Sequence, residues 1–160
     1  MRFGTVWFAK LPVRTYVIEA QTLFVPYLSR MLERAGLSVI ETSAVLNEKS
    51  LSEARPGVVF VDIDYSERGG MTLLCGIRET LERSPDATGA PHVVAYSSGG
   101  ADETRRASCY ISGATLVYSK DASEDELVAA LRSSVGTTVN EADAGASPPR
   151  ERLAKRRRGA

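Results

Sequence analysis

The run Val58-Val59-Phe60-Val61-Asp62-Ile63-Asp64 limits how this chain can fold more than any other segment. Its apolar residues do not alternate with polar ones, so neither face of the strand is meant for water. A strand of this kind lies inside a parallel sheet whose two faces are both covered by helices. Pro56-Gly57 closes the segment before it, and an acid stands where the strand should end.

The rest of the chain repeats the same unit. Thr15–Ile18 reads as a first strand, followed by a helix with Leu23, Phe24, Tyr27, Leu28, Met31, Leu32 and Ala35 at helical spacing and Gly36 as its stop. Pro26 falls near the first turn of that helix, where a missing N–H costs least. Ser38–Thr42 is a short second strand, and Val45, Leu46, Leu51 and Ala54 mark a weaker second helix. After Asp62 and a loop at Tyr65–Gly70 comes a third helix carrying Leu73, Leu74, Ile77 and Leu81. His92–Tyr96 is the fourth strand, and a polar helix runs from about Asp102 to Ile111. Thr115–Tyr118 is the fifth strand. Ser123 with Glu126 three residues later forms a capping box for a last helix, whose buried stripe is Leu127, Val128, Leu131 and Val135. Strand–helix alternation repeated five times predicts a doubly wound α/β sheet. The predicted domain is 1–136, with its core at 14–135. From Gly136 onward apolar periodicity gives way to small, polar and charged residues, so 137–160 is expected to be a flexible tail.

Composition excludes several classes. No apolar run approaches the roughly 20 residues that a membrane helix needs. Met1–Lys10 lacks the long apolar stretch and small-residue cleavage site of a signal peptide, and reads instead as an extra strand or a short apolar segment against the domain. Cys75 and Cys109 are far apart and read as two reduced, half-buried thiols, which with the absence of a leader points to the cytoplasm. One histidine, His92, cannot build a zinc site alone. The net charge of zero conceals an asymmetry: residues 150–158 hold six basic residues and one acid, leaving the remainder with 14 basic and 19 acidic residues. The acidic body is not a nucleic-acid-binding surface, and any weak contact with nucleic acid is left to the basic tail.

Ligands of open α/β sheets bind outside the carboxyl ends of the strands. Glu19 stands at the end of the first strand, Asp62 at the third with Asp64 two residues on, Ser97 and Ser98 at the fourth, and Lys120 at the fifth. Carboxylates, a hydroxyl and an ammonium on one edge suit phosphoryl chemistry. Neighbouring carboxylates call for a cation, of which Mg²⁺ is the natural choice, and a carboxylate can itself accept a phosphoryl group. Competing motifs fail. Gly99-Gly100 lacks the rest of a phosphate-binding loop, no glycine-rich turn follows the first strand, and the histidine precedes both candidate serines, against the order of a Gly-x-Ser-x-Gly hydrolase.

On these residues the sequence resembles the receiver domain of two-component response regulators over about 14–135. Glu19, Gly36, the segment Pro56–Asp62, Gly70 eight residues beyond Asp62, Ser97, and Gly113-Ala114 with Lys120 all fall at the family's positions. The resemblance implies a five-stranded parallel sheet of order 2-1-3-4-5 with helices on both faces. It implies Asp62 as phospho-acceptor, Lys120 and Ser97 as phosphoryl-binding groups, Glu19 and Asp62 as Mg²⁺ ligands, and Ser97 with Val117 as switch positions. A histidine kinase or phosphotransfer protein would be the donor and a downstream protein the target. A homodimer through the face of the fourth strand and fifth helix is a further possibility. No enzyme activity is expected beyond Mg²⁺-dependent self-phosphorylation and self-dephosphorylation.

The sequence also departs from the family's pattern. Ala20 replaces the second of two adjacent acids, Ser66 and Asp121 replace two prolines, and Val117 replaces the switch aromatic. Tyr118, adjacent to it, should face the other side of the sheet. Ser98 competes with Ser97 when positions are counted back from Lys120. Asp64 is a candidate substitute metal ligand, its plainer reading being a loop carboxylate in water. These departures leave a second expectation beside the first: a pseudo-receiver that is never phosphorylated and acts as a constitutive interaction module.

Overall fold

The computed structural model describes residues 12–64, 66, 68–84 and 90–144. Five parallel strands, β1 (Val13–Ile18), β2 (Leu37–Ser43), β3 (Val58–Asp62), β4 (His92–Ser97) and β5 (Leu116–Ser119), form one sheet in the order β2-β1-β3-β4-β5. The helices α1 (Val25–Arg34), α2 (Glu48–Ala54), α3 (Gly70–Glu82), α4 (Glu103–Ile111) and α5 (Glu124–Ala144) alternate with them. This is the doubly wound sheet expected from the sequence, with the all-buried Val58–Asp62 segment as its middle strand.

The strands' period of two sorts the core into two layers. Tyr16, Ile18, Val59, Val61, Val93, Ala95 and Val117 face Leu51 of α2, Leu74 and Ile77 of α3, and Cys109 of α4. Val17, Val58, Phe60 and Val94 face Leu28, Met31 and Leu32 of α1 and Leu127, Val128 and Leu131 of α5. Each buried aliphatic side chain contributes about 1.5–3 kcal/mol. The faces differ in their polar fastenings: Arg34 pairs with Glu124 and, at 2.7 Å, with Asp125, clamping α1 to α5. On the other face Arg78 Nη2 donates to the Gly113 carbonyl at 2.7 Å, joining α3 to the turn before β5.

The structure corrects several expectations. Leu23 and Phe24 do not join the buried stripe of α1; they are 92% and 53% exposed. Pro26, at the helix start, sets the first turn at Val25, and the preceding Thr22–Phe24 turn is 3-10, out of phase with the α-helix. Val45 is likewise exposed, while Leu51 carries the burial of α2. Cys75 is exposed and Cys109 fully buried, rather than both half-buried. The capping box forms as expected, with Glu126 N–H donating to Ser123 Oγ and Ser123 N–H to Glu126 Oε2. The helix it opens continues to Ala144, past the Gly136 where a flexible tail was expected to begin. Once a helix is nucleated, adding residues is cheap. One glycine costs only about 1 kcal/mol, and no proline intervenes before Pro148. The expected N-terminal segment (1–11), the Val135 side chain and the basic tail lie outside the described residues. Among the described residues no helix is long and apolar enough to cross a membrane.

Candidate functional site

Strand parity decides which side chains meet at the carboxyl edge. Val17 and Phe60 belong to the α1/α5 layer, so the residues two further on, Glu19 and Asp62, project to the same side. Ile18 pairs with Val61, which brings those two acids next to each other. Both are buried, at 2% and 6% exposure. Their carboxyl groups hydrogen-bond to each other. Burial first, and the hydrogen bond to Asp62 second, push the Glu19 pKa up to about 7. The Gln21 N–H donates to Glu19 Oε1 at 2.9 Å and holds the side chain in place.

Lys120 reaches the same point from the end of β5. Its Nζ lies 2.6 Å from Asp62 Oδ2 and 3.0 Å from Asp64 Oδ2, and 5.4 Å from the centroid of the Tyr96 ring. Burial alone would lower its pKa, but the hydrogen bonds to both aspartates outweigh that and raise it. The backbone places it: Lys120 N–H donates to the Ser97 carbonyl at 2.9 Å, tying the turn after β5 to the end of β4.

Asp64 is not a loop carboxylate in water: its oxygens are engaged by Ser97, Ser98 and Lys120. Its side chain is 12% exposed. Ser97 Oγ–H donates to Asp64 Oδ1 at 2.7 Å, and the Ser98 N–H donates to Asp64 Oδ2 at 2.8 Å. Arg105 of α4 approaches Asp64 Oδ1 at 3.5 Å and donates from Nε to Ser97 Oγ at 3.2 Å. Burial would raise the Asp64 pKa. The bonds from Ser97, Ser98 and Lys120 overcome it and hold the carboxyl at about 2. Of the two serines, Ser97 is fully buried with its hydroxyl inside this network, whereas Ser98 is exposed and reaches Asp64 with both its backbone amide and its side chain.

Sequence reasoning did not single out Arg105. Its signal was present only as a cation on the first turns of the helix after the Ser97-Ser98-Gly99-Gly100 loop. Gly100 proves more than a turn residue: a Cβ there would lie 2.5 Å from the Tyr118 carbonyl oxygen, so the loop packs directly on β5. Gly70 is similar, its missing Cβ leaving room for Ile63. Val117 is paired with Ala95 and sealed in the α2/α3/α4 layer, while Tyr118 faces the opposite layer, with its hydroxyl 2.9 Å from Ser134 Oγ of α5. A groove of about 690 Å³ opens beside Asp62, bordered by Ala20, Ser66 and Arg68 at one end and Leu46, Thr72 and Leu73 at the other.

The donor set bears on a metal. Among the described residues no three carboxylate, imidazole or thiol groups cluster to hold an ion. Glu19 and Asp62 are nevertheless two adjacent buried carboxyl groups, and a divalent cation would offset their like charge. Mg²⁺ is commonly held by one or two carboxylates with water completing its shell, so the pair fits it as a minimal site.

Comparison with known proteins agrees with this architecture. No family model matches the sequence, and no curated protein is significantly similar to it. Solved structures do match. A two-component response regulator of the LuxR family from Aurantimonas sp. SI85-9A1 superposes with a TM-score of 0.61 at 20% identity, covering 79% of this chain and 86% of that one. The CheX–CheY–BeF3–Mg complex from Borrelia burgdorferi gives 0.59 at 20% identity, over 78% and 90%. A CheY-like receiver domain protein from Methanospirillum hungatei JF-1 gives 0.61 at 15% identity, over 81% and 98%. The chain therefore has the flavodoxin-like fold of response-regulator receiver domains.

Proposed function

We propose that this chain is a response regulator of two-component signalling, with Asp62 as its phosphoryl acceptor. The observation that supports this best is the contact of Lys120 Nζ with Asp62 Oδ2 at 2.6 Å, beside Glu19, at the end of the central strand of a receiver fold. An oriented carboxylate next to a fixed ammonium suits attack on phosphorus. The donor is a phosphohistidine on a histidine kinase or phosphotransfer protein. Its P–N bond breaks, a bond from phosphorus to an Asp62 oxygen forms, and an acyl phosphate results. Lys120 and Ser97 then bind phosphoryl oxygens, and Val117 lies under the segment that would respond. Mg²⁺, held by Glu19 and Asp62, offsets the negative charge of the transferring group when bound. Output is contact with a downstream cytoplasmic protein, or homodimerisation through the β4/α5 face, and any activity of the chain itself is limited to self-phosphorylation and self-dephosphorylation.

The test is incubation with acetyl phosphate and Mg²⁺. A protein that gains one phosphoryl group, and loses this capacity on Asp62→Ala, supports the assignment. No uptake and no beryllofluoride binding at millimolar Mg²⁺ defeats it.

A second reading is favoured by two specific observations: Ala20 in place of an acid beside the pair, and the engagement of Ser97 and Lys120 by Asp64. In that reading the chain is a pseudo-receiver whose binding surface is constitutive. The same incubation distinguishes the two.

A further inference from the structure

We propose that Asp64 is a built-in anion. Its carboxylate fills the oxyanion position formed by the Ser97 hydroxyl, the Ser98 amide and Lys120, and holds the β4–α4 loop in its anion-bound arrangement in the unmodified chain. The geometry is that of a small anion site complete on every side. One carboxylate oxygen accepts from Ser97 Oγ–H at 2.7 Å with Arg105 Nη2 at 3.5 Å, and the other accepts from the Ser98 N–H at 2.8 Å with Lys120 Nζ at 3.0 Å. A backbone amide, a hydroxyl and two cations are the donors that bind a phosphate group elsewhere in proteins. Here a side chain of the same polypeptide satisfies them all.

The loop is held in turn. Ser97 Oγ also accepts from the Gly99 N–H and from Arg105 Nε, both at 3.2 Å, so the hydroxyl that donates to Asp64 fixes the first turn of the loop and α4 together. Gly100 presses on the Tyr118 backbone, carrying that position to β5. Asp64 therefore sets the conformation of the surface made by β4, α4 and β5 without any covalent modification. It also competes with a phosphoryl group on Asp62 for Ser97 and Lys120. This last consequence, unlike the anion site itself, rests on the proposed role of Asp62.

The test separates the two. In full-length protein carrying Asp62→Asn, which removes the acceptor, inorganic phosphate is titrated while the Ser98 and Gly99 amide resonances are followed. With Asp64 present the expectation is no shift. With Asp64→Ala added, the vacated donors bind phosphate at millimolar concentration and both amides move. Asp64→Ser, which keeps a small acceptor for the Ser98 amide, replaces the alanine variant if that one does not fold. Phosphate binding that is the same with and without Asp64, or absent in both, overturns the proposal. In protein with Asp62 intact, Asp64→Ala lowers the beryllofluoride midpoint at fixed Mg²⁺ by roughly tenfold or more, the effect of removing a competitor for charge-assisted hydrogen bonds. Gain of phosphate binding with no beryllofluoride binding in any variant supports the built-in anion and defeats Asp62 as acceptor.

Discussion

Lys120 Nζ stands between two aspartates, 2.6 Å from Asp62 and 3.0 Å from Asp64, and together with the Asp64 N–H, which donates to Asp62 Oδ1 at 3.0 Å, it joins the Glu19–Asp62 pair to the Asp64–Ser97 network. Removing it leaves two carboxylates facing each other in a site where Asp62 is 5% and Lys120 22% exposed at the side chain. Breaking a buried ion pair from one side costs more than the pair is worth, because the remaining charge is stranded. Lys120→Met is expected to lower stability by about 2–4 kcal/mol in urea denaturation at pH 7. Asp62→Asn in the same chain should recover part of that loss. A Lys120→Met loss that Asp62→Asn leaves unchanged would show that the ion pair is not the cause.

The two acids that flank Asp62 respond to pH with opposite signs. The Glu19 pKa is raised from 4.5 to about 7, so the folded protein holds a proton that the unfolded chain has lost, and stability falls as pH rises between those values. At about 1.4 kcal/mol per unit, the loss is on the order of 3–4 kcal/mol by pH 8. Asp64 is lowered from 3.8 to about 2, so its contribution is present above pH 4 and disappears as pH falls toward 2. Denaturation midpoints against pH are therefore expected to peak near pH 4–5 for this pair of groups. Glu19→Gln removes the decline between pH 5 and 8, while Asp64→Asn removes the acid limb.

Parity made much of this site legible in advance. Glu19, Asp62 and Lys120 each follow an apolar strand, and counting by twos puts all three on the α1/α5 side. Their convergence was thus readable once the strands were placed. The doubly wound sheet came from the alternation of elements, whereas its strand order was implied only by the resemblance to receiver domains. What could not be read was the direction of Asp64, because the residue after a strand end is no longer bound by the pleat. Its turn toward Ser97 is set by the Ser98 amide and by Lys120, partners 34 and 56 residues away in the chain. Leu23 and Phe24 fit the helical spacing and still lie outside, because Pro26 decides where the α-helix starts.

Ala20 borders the groove beside Asp62, where the resemblance expects a second acid. Ala20→Asp is expected to bind Mg²⁺ at least tenfold more tightly by calorimetric titration, since a third carboxylate turns a minimal pair into a fuller oxygen cage. The same variant should be less stable than the parent without metal, from added like charge, and regain stability in millimolar Mg²⁺. An unchanged affinity would place the metal somewhere other than Glu19 and Asp62.

The last prediction concerns the loop that carries Ser97 to β5. At Gly99 the nearest atoms to an added Cβ belong to the flexible Arg105 side chain, with Cδ at 3.0 Å, and a small shift of that side chain relieves the contact. At Gly100 the added Cβ meets backbone: the Tyr118 carbonyl oxygen at 2.5 Å and Ser119 Cα at 2.7 Å. Backbone held in a sheet does not yield, so the loop must lift from β5, and overpacking of this kind costs about 1–3 kcal/mol. Gly99→Ala is therefore expected to be nearly neutral, whereas Gly100→Ala loses that amount and weakens the Ser97 carbonyl's hold on Gly100 and Lys120 as well. Amide exchange distinguishes this from general destabilisation. Protection should fall first at Gly100 and Lys120, whose N–H groups both donate to Ser97 O, while Phe60 and Val94 in the central strands stay protected. Equal losses at all four positions would mean that the loop and the sheet open as one unit, and that Gly100 does not govern the Ser97 corner separately.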